Sequence, residues 1–499
     1  MSRRLSFLAT AILLLFAVAA AQSANIQFLR APALDASSSN PRVATASTLY
    51  ARGEIVAADG TILAQSVPST GGYYRWHRIY PLGSLTAGVV GFSGPNYGDW
   101  ALEAQYANYL AAHTQPPQSF AQVLAPNSAA DSVTLTIQPA LQRVARNALA
   151  GQDGAAVVLD PRTGAVLAMY SNPTYNPAPL ASGDYAVAAA AWKRVNTNNG
   201  HGFPPLGLVA TEQTFPPGST FKVITTAAAV VGRPDLLVKS YPYAPFATLP
   251  NSNLPLYNSG GSACGGTVAV MLPVSCDPGY ALLGLDIGAP LLTATTNSFG
   301  YNRVPPLDLP GVVPSFFPTA QSFQFNLPGL AYSSIGQQNV RSTTLQNALV
   351  AAAIANGGTI MTPHLMSSIT GPDGTILKRY KDTVWRTPLT PAQAQQIVPL
   401  MQNVVRYGTA AGIFLPADDV AAKTGTAQTG NGVANTDDWM IAFAPATNPT
   451  VAIAVVLPFQ AKSHFGATYA GPVVKCLVEG ALALQAGQRV SGTATTCAR

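Results

Sequence analysis

The stretch Phe215-Pro216-Pro217-Gly218-Ser219-Thr220-Phe221-Lys222 runs straight into Val223, Ile224 and an alanine-rich segment that stops at Gly232. This spacing predicts a helix that starts at the serine. A serine in a first helical turn sits where unpaired backbone N–H groups and the helix dipole favour developing negative charge. Lys222, three positions on, shares its face, so a hydroxyl and an amine stand side by side. An unperturbed lysine, with a pKa of about 10.4, is protonated at neutral pH and works as a base only where desolvation or a nearby positive charge lowers that value. Read alone, the pattern also fits a serine that caps an amphipathic helix.

About 200 residues further on stands Lys423-Thr424-Gly425-Thr426-Ala427, just before an apolar run from Trp439 to Phe443. Gly425 lets an extended ligand approach the backbone closely, Thr424 offers a hydroxyl to a carboxylate, and Lys423 offers charge that can also act on Lys222. By itself this segment equally reads as an exposed edge strand. Ahead of both stretches, Ala155 to Leu159 and Ala165 to Tyr170 flank a turn at Asp160-Pro161-Arg162-Thr163-Gly164, which predicts a hairpin. A matching hairpin joins Trp439 to Phe443 and Val451 to Leu457 near the end. Strands at both ends around helical runs predict an α+β unit whose antiparallel sheet, flanked by helices, pairs its first strands with its last. The Pro/Gly-rich stretch from about Tyr241 to Gly266 reads as a long surface loop.

The chain has 499 residues, enough for two domains. Charged residues make up 10% and the net charge of +6 is spread without Lys/Arg blocks, which excludes a nucleic-acid surface. Arg3 and Arg4 precede an apolar run from Leu5 to Ala21, so residues 1–24 read as a signal-anchor or a signal peptide, with the downstream chain exported. A retained anchor is the expectation; Ala19-Ala20-Ala21 leaves cleavage open. Residues 25–51 read as a spacer, residues 52–135 as a small strand-rich first domain with one helical stretch near Trp100 to His113, residues 136–490 as the main domain, and 491–499 as a tail. Pro139 opens a helix that runs to Gly151. Four cysteines in an exported chain allow three pairings, of which Cys264 with Cys276 and Cys476 with Cys497 are the sequence-local one. The five histidines are scattered, and no CxxC or HExxH spacing supports a metal site.

The two motifs, SxxK and KTG, in this order and at this distance in an exported chain, resemble the active site of the penicillin-binding proteins and serine β-lactamases. Arg52-Gly53-Glu54-Ile55-Val56 with Asp59-Gly60-Thr61-Ile62-Leu63-Ala64 resembles the opening of the pedestal, or dimerisation-like, domain of the class B penicillin-binding proteins. Leu135 to Leu141, Gly154 to Pro173, Ile335 to Gly358 and Lys423 to Pro445 are similar to that family too. The resemblance implies a peptidoglycan D,D-transpeptidase on the outer side of the cytoplasmic membrane. Ser219 would be the acylated nucleophile, Lys222 its base, Ser275 a proton relay to the leaving amine, and Lys423 with Thr424 the carboxylate holders beside Gly425. The backbone N–H groups of Ser219 and Thr426 would form the oxyanion hole. Implied partners are peptidoglycan stem peptides, β-lactams and a polytopic glycan polymerase; no metal or organic cofactor is implied. The family's SxN element falls at Ser275-Cys276-Asp277, with Asp for Asn. An ionised carboxylate accepts only, and beside Lys222 it favours the charged ammonium. That leaves a slower enzyme, a protonated Asp277, or a catalytically weak wall-assembly scaffold or β-lactam sensor. A D,D-carboxypeptidase or β-lactamase, with water as acceptor, is the other enzymatic reading, although a simple hydrolase has no need of a pedestal.

Overall fold

The computed structural model describes residues 2–30, 50–70, 74–114, 128–198, 200, 202–429, 435–461, 465–488 and 490. His201, His464, Cys497, residues 31–49 of the spacer and the tail from 491 lie outside the described residues. Helix α1 (Ser2–Ala24) carries the N-terminal apolar run. The segment Phe7–Gln27 is long and apolar enough to cross a membrane, and none of it is buried.

Short strands come after it: β1 (Ile55–Val56), β2 (Ile62–Pro68), β3 (Trp76–Ile79) and β4 (Ser132–Leu135). Beyond α2 (Pro139–Leu149), the predicted hairpin forms as β5 (Gly154–Leu159) and β6 (Val166–Asn172). Helices α3 (Lys222–Gly232), α4 (Asp277–Ile287) and α5 (Thr344–Ala355) come next. They lead to β7 (Met366–Thr370), β8 (Ile376–Arg379) and helix α6 (Pro391–Arg406). The chain closes with β9 (Ala421–Gln428), β10 (Asn435–Ala444), β11 (Val451–Ala461) and α7 (Gly466–Gln485).

The main sheet is antiparallel throughout, in the order β6-β5-β11-β10-β9, so the first strands do pair with the last. Every residue of β5 is buried, because α2 and α7 pack together on one face and α5 covers the other. Although α7 is as long and apolar as a membrane span, half of it is buried in this core. Thr343 caps α5 by accepting from Gln346 N–H, and a Thr390/Gln393 capping box starts α6.

Three expectations need correction. The helical stretch after Trp100 is two short turns, Leu102–Gln105 and Ala107–Leu110, with non-helical backbone at Tyr106 between them. Tyr241 to Gly266 is not a plain surface loop. Tyr241–Ala244 pairs with Cys264–Gly266, Phe246–Ala247 pairs with Leu256–Tyr257, and Tyr241, Ala247, Leu249 and Leu256 are buried. Ribbons this short give no period-two signal, so the Pro/Gly content dominated the reading. Finally, the N-terminal sheet has the order β8-β7-β4-β1-β2-β3, so two strands from beyond residue 360 cross the boundary expected at 135. A strand-rich first segment with an open edge is completed by a later part of the chain.

That first segment is also held by a buried charge cluster. Glu103 accepts from Arg52 Nε at 2.6 Å and from Arg78 Nε at 2.7 Å, while Asp99 stands 3.1 Å from Arg52. Burial alone would raise the Glu103 pKa, but the two guanidiniums hold it below the usual carboxylate range. Removing the carboxylate strips Arg78 of its counter-charge in this cluster and leaves Arg52 with Asp99 alone. Glu103→Ala is therefore expected to lose roughly 3–5 kcal/mol of stability, read as a lower urea midpoint for this segment.

Candidate active site

The SxxK stretch does not start an α-helix at the serine. Gly218–Phe221 forms a 3-10 turn, and α3 begins at Lys222. With three residues per turn, positions i and i+3 eclipse, so Ser219 and Lys222 lie on one side more directly than α-helical spacing would place them. Pro217 precedes the turn and supplies the carbonyl that accepts from Thr220 Oγ1 at 2.8 Å. Trp439 of β10 donates from Nε1 to Pro216 O at 2.9 Å, tying the turn to the main sheet.

Ser275 occupies a tight turn before α4, in left-handed backbone with φ 58°. That conformation is uncommon for a residue with a side chain. It lets both the carbonyl and the hydroxyl of Ser275 face the lysines. Lys222 Nζ donates to Ser275 O at 2.7 Å and lies 3.3 Å from Ser275 Oγ, and Lys423 Nζ donates to the same Oγ at 2.8 Å. Asp277, first residue of α4, takes a third bond from Lys222 Nζ at 2.6 Å through Oδ1. Its other oxygen accepts from Ser259 N–H at 3.0 Å, while Asp277 N–H donates to Asn258 Oδ1 at 3.0 Å. The Cys264–Cys276 disulfide forms, tying the strand Cys264–Gly266, which follows the turn at Asn258 and Ser259, to the middle residue of the Ser-x-Asp turn. Cys476 is buried in α7, and its expected partner Cys497 lies outside the described residues.

Lys222 and Lys423 are both fully buried. Burial pushes the Lys222 amine down, opposed by the attraction of Asp277. Burial and the charge of Lys222 together push Lys423 well below the ordinary lysine value. The two amines act on each other, and the direct ion pair with Asp277 gives Lys222 a support that Lys423, bonded to the Ser275 hydroxyl and the Thr424 carbonyl, does not have.

Lys423, Thr424, Gly425 and Thr426 lie on β9, the open edge of the main sheet. Thr424 Oγ1 shares a 2.6 Å hydrogen bond with Thr409 Oγ1, and Thr426 Oγ1 accepts from Gly466 N–H at 3.0 Å. The cleft beside this edge has two lobes that meet at Ser219. The larger, about 700 Å³, is bounded by Tyr257, Asp277, Tyr332, Gln337, Gln428 and Asn435. The smaller, about 360 Å³, is lined with hydroxyls from Ser259, Ser262, Ser275, Thr409, Thr424 and Thr468.

All eight site residues named from the sequence therefore gather around one cleft. Sequence reasoning missed Asn258, Ser259, Thr409 and Gln337. Asn258 and Ser259 fell inside a segment read as loop; Thr409 and Gln337 belong to no motif and reach the cleft only through the fold.

The chain is similar to known proteins over nearly its whole length. The family described as the penicillin binding protein transpeptidase domain matches residues 154–479, and the penicillin binding protein A dimerisation domain matches residues 52–129. The chain is 36% identical, over 97% of its own length and 99% of the other's, to peptidoglycan D,D-transpeptidase PbpA of Mycolicibacterium smegmatis. It is 34% identical to PbpA of Mycobacterium tuberculosis, over 96% of this chain and 98% of that one. Among solved structures, M. tuberculosis penicillin-binding protein A in its ceftriaxone acyl-enzyme complex superposes with a TM-score of 0.78 at 33% identity, covering 88% of this chain and 100% of that one.

A Cβ at Gly425 would meet Pro217 O and Thr220 Cγ2 at 2.9 Å and Trp439 Cβ at 3.0 Å. The KTG strand thus touches the serine turn at a position where only glycine fits. Gly425→Ala is expected to wedge the two apart and slow acylation by a penicillin by about 10² or less, the scale on which sub-ångström to ångström misplacement acts. Circular dichroism should show the fold retained.

Proposed function

The chain belongs to the penicillin-binding protein transpeptidase family, and from that premise we propose that it cross-links peptidoglycan stem peptides through an acyl-enzyme at Ser219 and is acylated there by β-lactams. One observation carries this reading: the Ser275 hydroxyl stands between two buried amines, 3.3 Å from Lys222 Nζ and 2.8 Å from Lys423 Nζ. Lys222 at rest spends its protons on Ser275 O, Ser275 Oγ and Asp277, so as an ammonium it has no lone pair to offer. Lys423, pushed well down and bonded to a hydroxyl and a carbonyl rather than to a carboxylate, is the proton acceptor in this reading. Once the Lys423 amine turns its lone pair to Ser275, Lys222 passes a proton to the Ser275 oxygen and the proton already on that hydroxyl moves to Lys423, which leaves Lys222 a free base.

The free Lys222 amine then takes the proton of Ser219 as its oxygen attacks the carbonyl carbon of the penultimate D-Ala. The tetrahedral oxyanion faces the backbone N–H groups of Ser219 and Thr426. Collapse breaks the peptide bond, and the leaving D-Ala amine collects its proton through Ser275. The hydroxyl-lined smaller lobe, with Thr424 and Lys423, suits the terminal carboxylate of the donor. The acceptor amine of a second stem enters, loses its proton to Lys222, and attacks the ester carbonyl, which frees Ser219.

The remaining assignments are part of the same reading. Residues 52–135 serve as the pedestal, completed by β7 and β8, and residues 136–490 as the transpeptidase domain. The apolar α1 supports a single-pass anchor with the catalytic domain on the outer side of the cytoplasmic membrane, as Arg3 and Arg4 favour. The pedestal resemblance supports docking to a polytopic glycan polymerase.

The 2.6 Å pair between Lys222 and Asp277 favours one second reading, that Asp277 restrains a slow enzyme. Both readings meet in one experiment. Full-length protein in detergent, treated with a fluorescent penicillin, should carry the adduct on Ser219 by mass spectrometry, and Ser219→Ala should carry none. Acylation should fall as pH drops through the lowered amine titration, because protonating the pair removes the free base. Asp277 raises the Lys222 pKa, so Asp277→Asn should move that acid limb to lower pH and raise the rate below it. An unlabelled wild-type chain would sink the proposal, and an unmoved limb would sink the role of Asp277.

A further inference from the structure

Gly336 and Gln337 stand between the two elements that carry the oxyanion donors proposed above. On one side, Gly336 O accepts from Gly218 N–H at 2.9 Å, the peptide just before Ser219. Gly336 has φ 73°, and a Cβ there would meet Gly218 O at 2.2 Å, so the two backbones are in direct contact. On the other side, the Gln337 side-chain amide lies against the backbone of Gln428 on β9. Oriented to satisfy both partners, it accepts from Gln428 N–H at 3.0 Å and donates to Gln428 O at 3.3 Å. It thus behaves as a one-residue strand added to the sheet edge.

The alternation of an antiparallel strand gives this contact its meaning. Gln428 turns its N–H and C=O away from β10 and towards the cleft, so Thr426, two residues earlier, does the same. The Thr424 carbonyl obeys the same parity and accepts from Lys423 Nζ at 2.9 Å. β10 thus gives the Thr426 N–H no partner, and its Trp439 ties the serine turn to the sheet only at Pro216, upstream of Ser219. Gly218 is held by Gly336, and the end of β9 is held by Gln337, its immediate neighbour.

We propose that Gln337 is a positioning residue that sets the width of the oxyanion hole, by clamping the open end of β9 to the same turn that holds Gly218. It touches neither the reacting carbonyl nor the nucleophile, and acts through Thr426 and Ser219. The inference rests on the acyl-transfer reading above.

The test uses full-length protein in detergent and separates binding from chemistry. With a chromogenic penicillin, the non-covalent dissociation constant and the acylation rate constant are measured by stopped flow for wild type, Gln337→Leu and Gln337→Glu. Leu keeps the bulk without the amide, and Glu keeps the acceptor for Gln428 N–H but faces Gln428 O with an oxygen. The expected result is an acylation rate at least tenfold lower for Leu, a smaller loss for Glu, and dissociation constants within about twofold of wild type. A peptidyl boronic acid supplies the second readout. Its boron takes the Ser219 oxygen and places an anionic oxygen where the oxyanion forms, so its affinity should fall in parallel with the rate. Thermal melting accompanies each variant. A Leu variant that melts lower but acylates and binds the boronate like wild type would overturn the inference, and so would a loss confined to the dissociation constant. A wild-type protein that fails to acylate would instead overturn the reading beneath it.

Discussion

A buried ammonium is tolerated only beside a counter-charge, and this site buries two amines around one carboxylate. The arithmetic of charge does most of the arranging. Asp277 supports one cation, which is Lys222, and the second amine is driven towards neutrality by burial and by its neighbour. The cleft thereby holds two amines of the same chemical type in unlike surroundings, one against a carboxylate and one not, separated by one hydroxyl. Two lysines in water would be indistinguishable in this respect; the difference is made by where a single carboxylate is placed.

Much of the surrounding structure serves that placement. Asp277 is fixed from behind by Ser259 N–H and Asn258, both in a turn just ahead of the strand that the Cys264–Cys276 bridge ties to the motif itself. The left-handed backbone at Ser275 turns its carbonyl onto Lys222, satisfying the part of the ammonium that Asp277 does not reach. On the opposite wall, Trp439 and Gly425 bring β9 against the serine turn with no side chain between them. The open edge of β9 is then available for an extended ligand, the usual hazard of an edge strand put to use.

The catalytic motifs and the sheet around them were legible because each has a local signature. Ser219 and Lys222 stand at fixed spacing, the hairpins at 154–172 and 439–457 have turn residues between apolar runs, and Pro139 marks a helix start. The residues that escaped notice have no such signature. Asn258 and Ser259 act through one amide and one backbone N–H from ribbons two to four residues long, too short for any period to show. Thr409 and Gln337 owe their roles to tertiary contact alone. The 3-10 geometry at Gly218–Phe221 was hidden because propensity separates helical from extended backbone, not one tight turn from another. Strands β7 and β8 were missed as members of the first sheet because pairing across more than two hundred residues leaves no trace in either segment.

That last pairing has a mechanical consequence. β4 of the first segment bonds on one side to β1, which lies just after Arg52, and on the other to β7, which belongs to the chain beyond α5. A tug on the chain at Arg52 is passed through a hydrogen-bonded ladder into the catalytic half and meets no free linker on the way. The first segment and the part of the chain beyond α5 are thus cantilevered together, so the tilt of one against the other is fixed by sheet geometry.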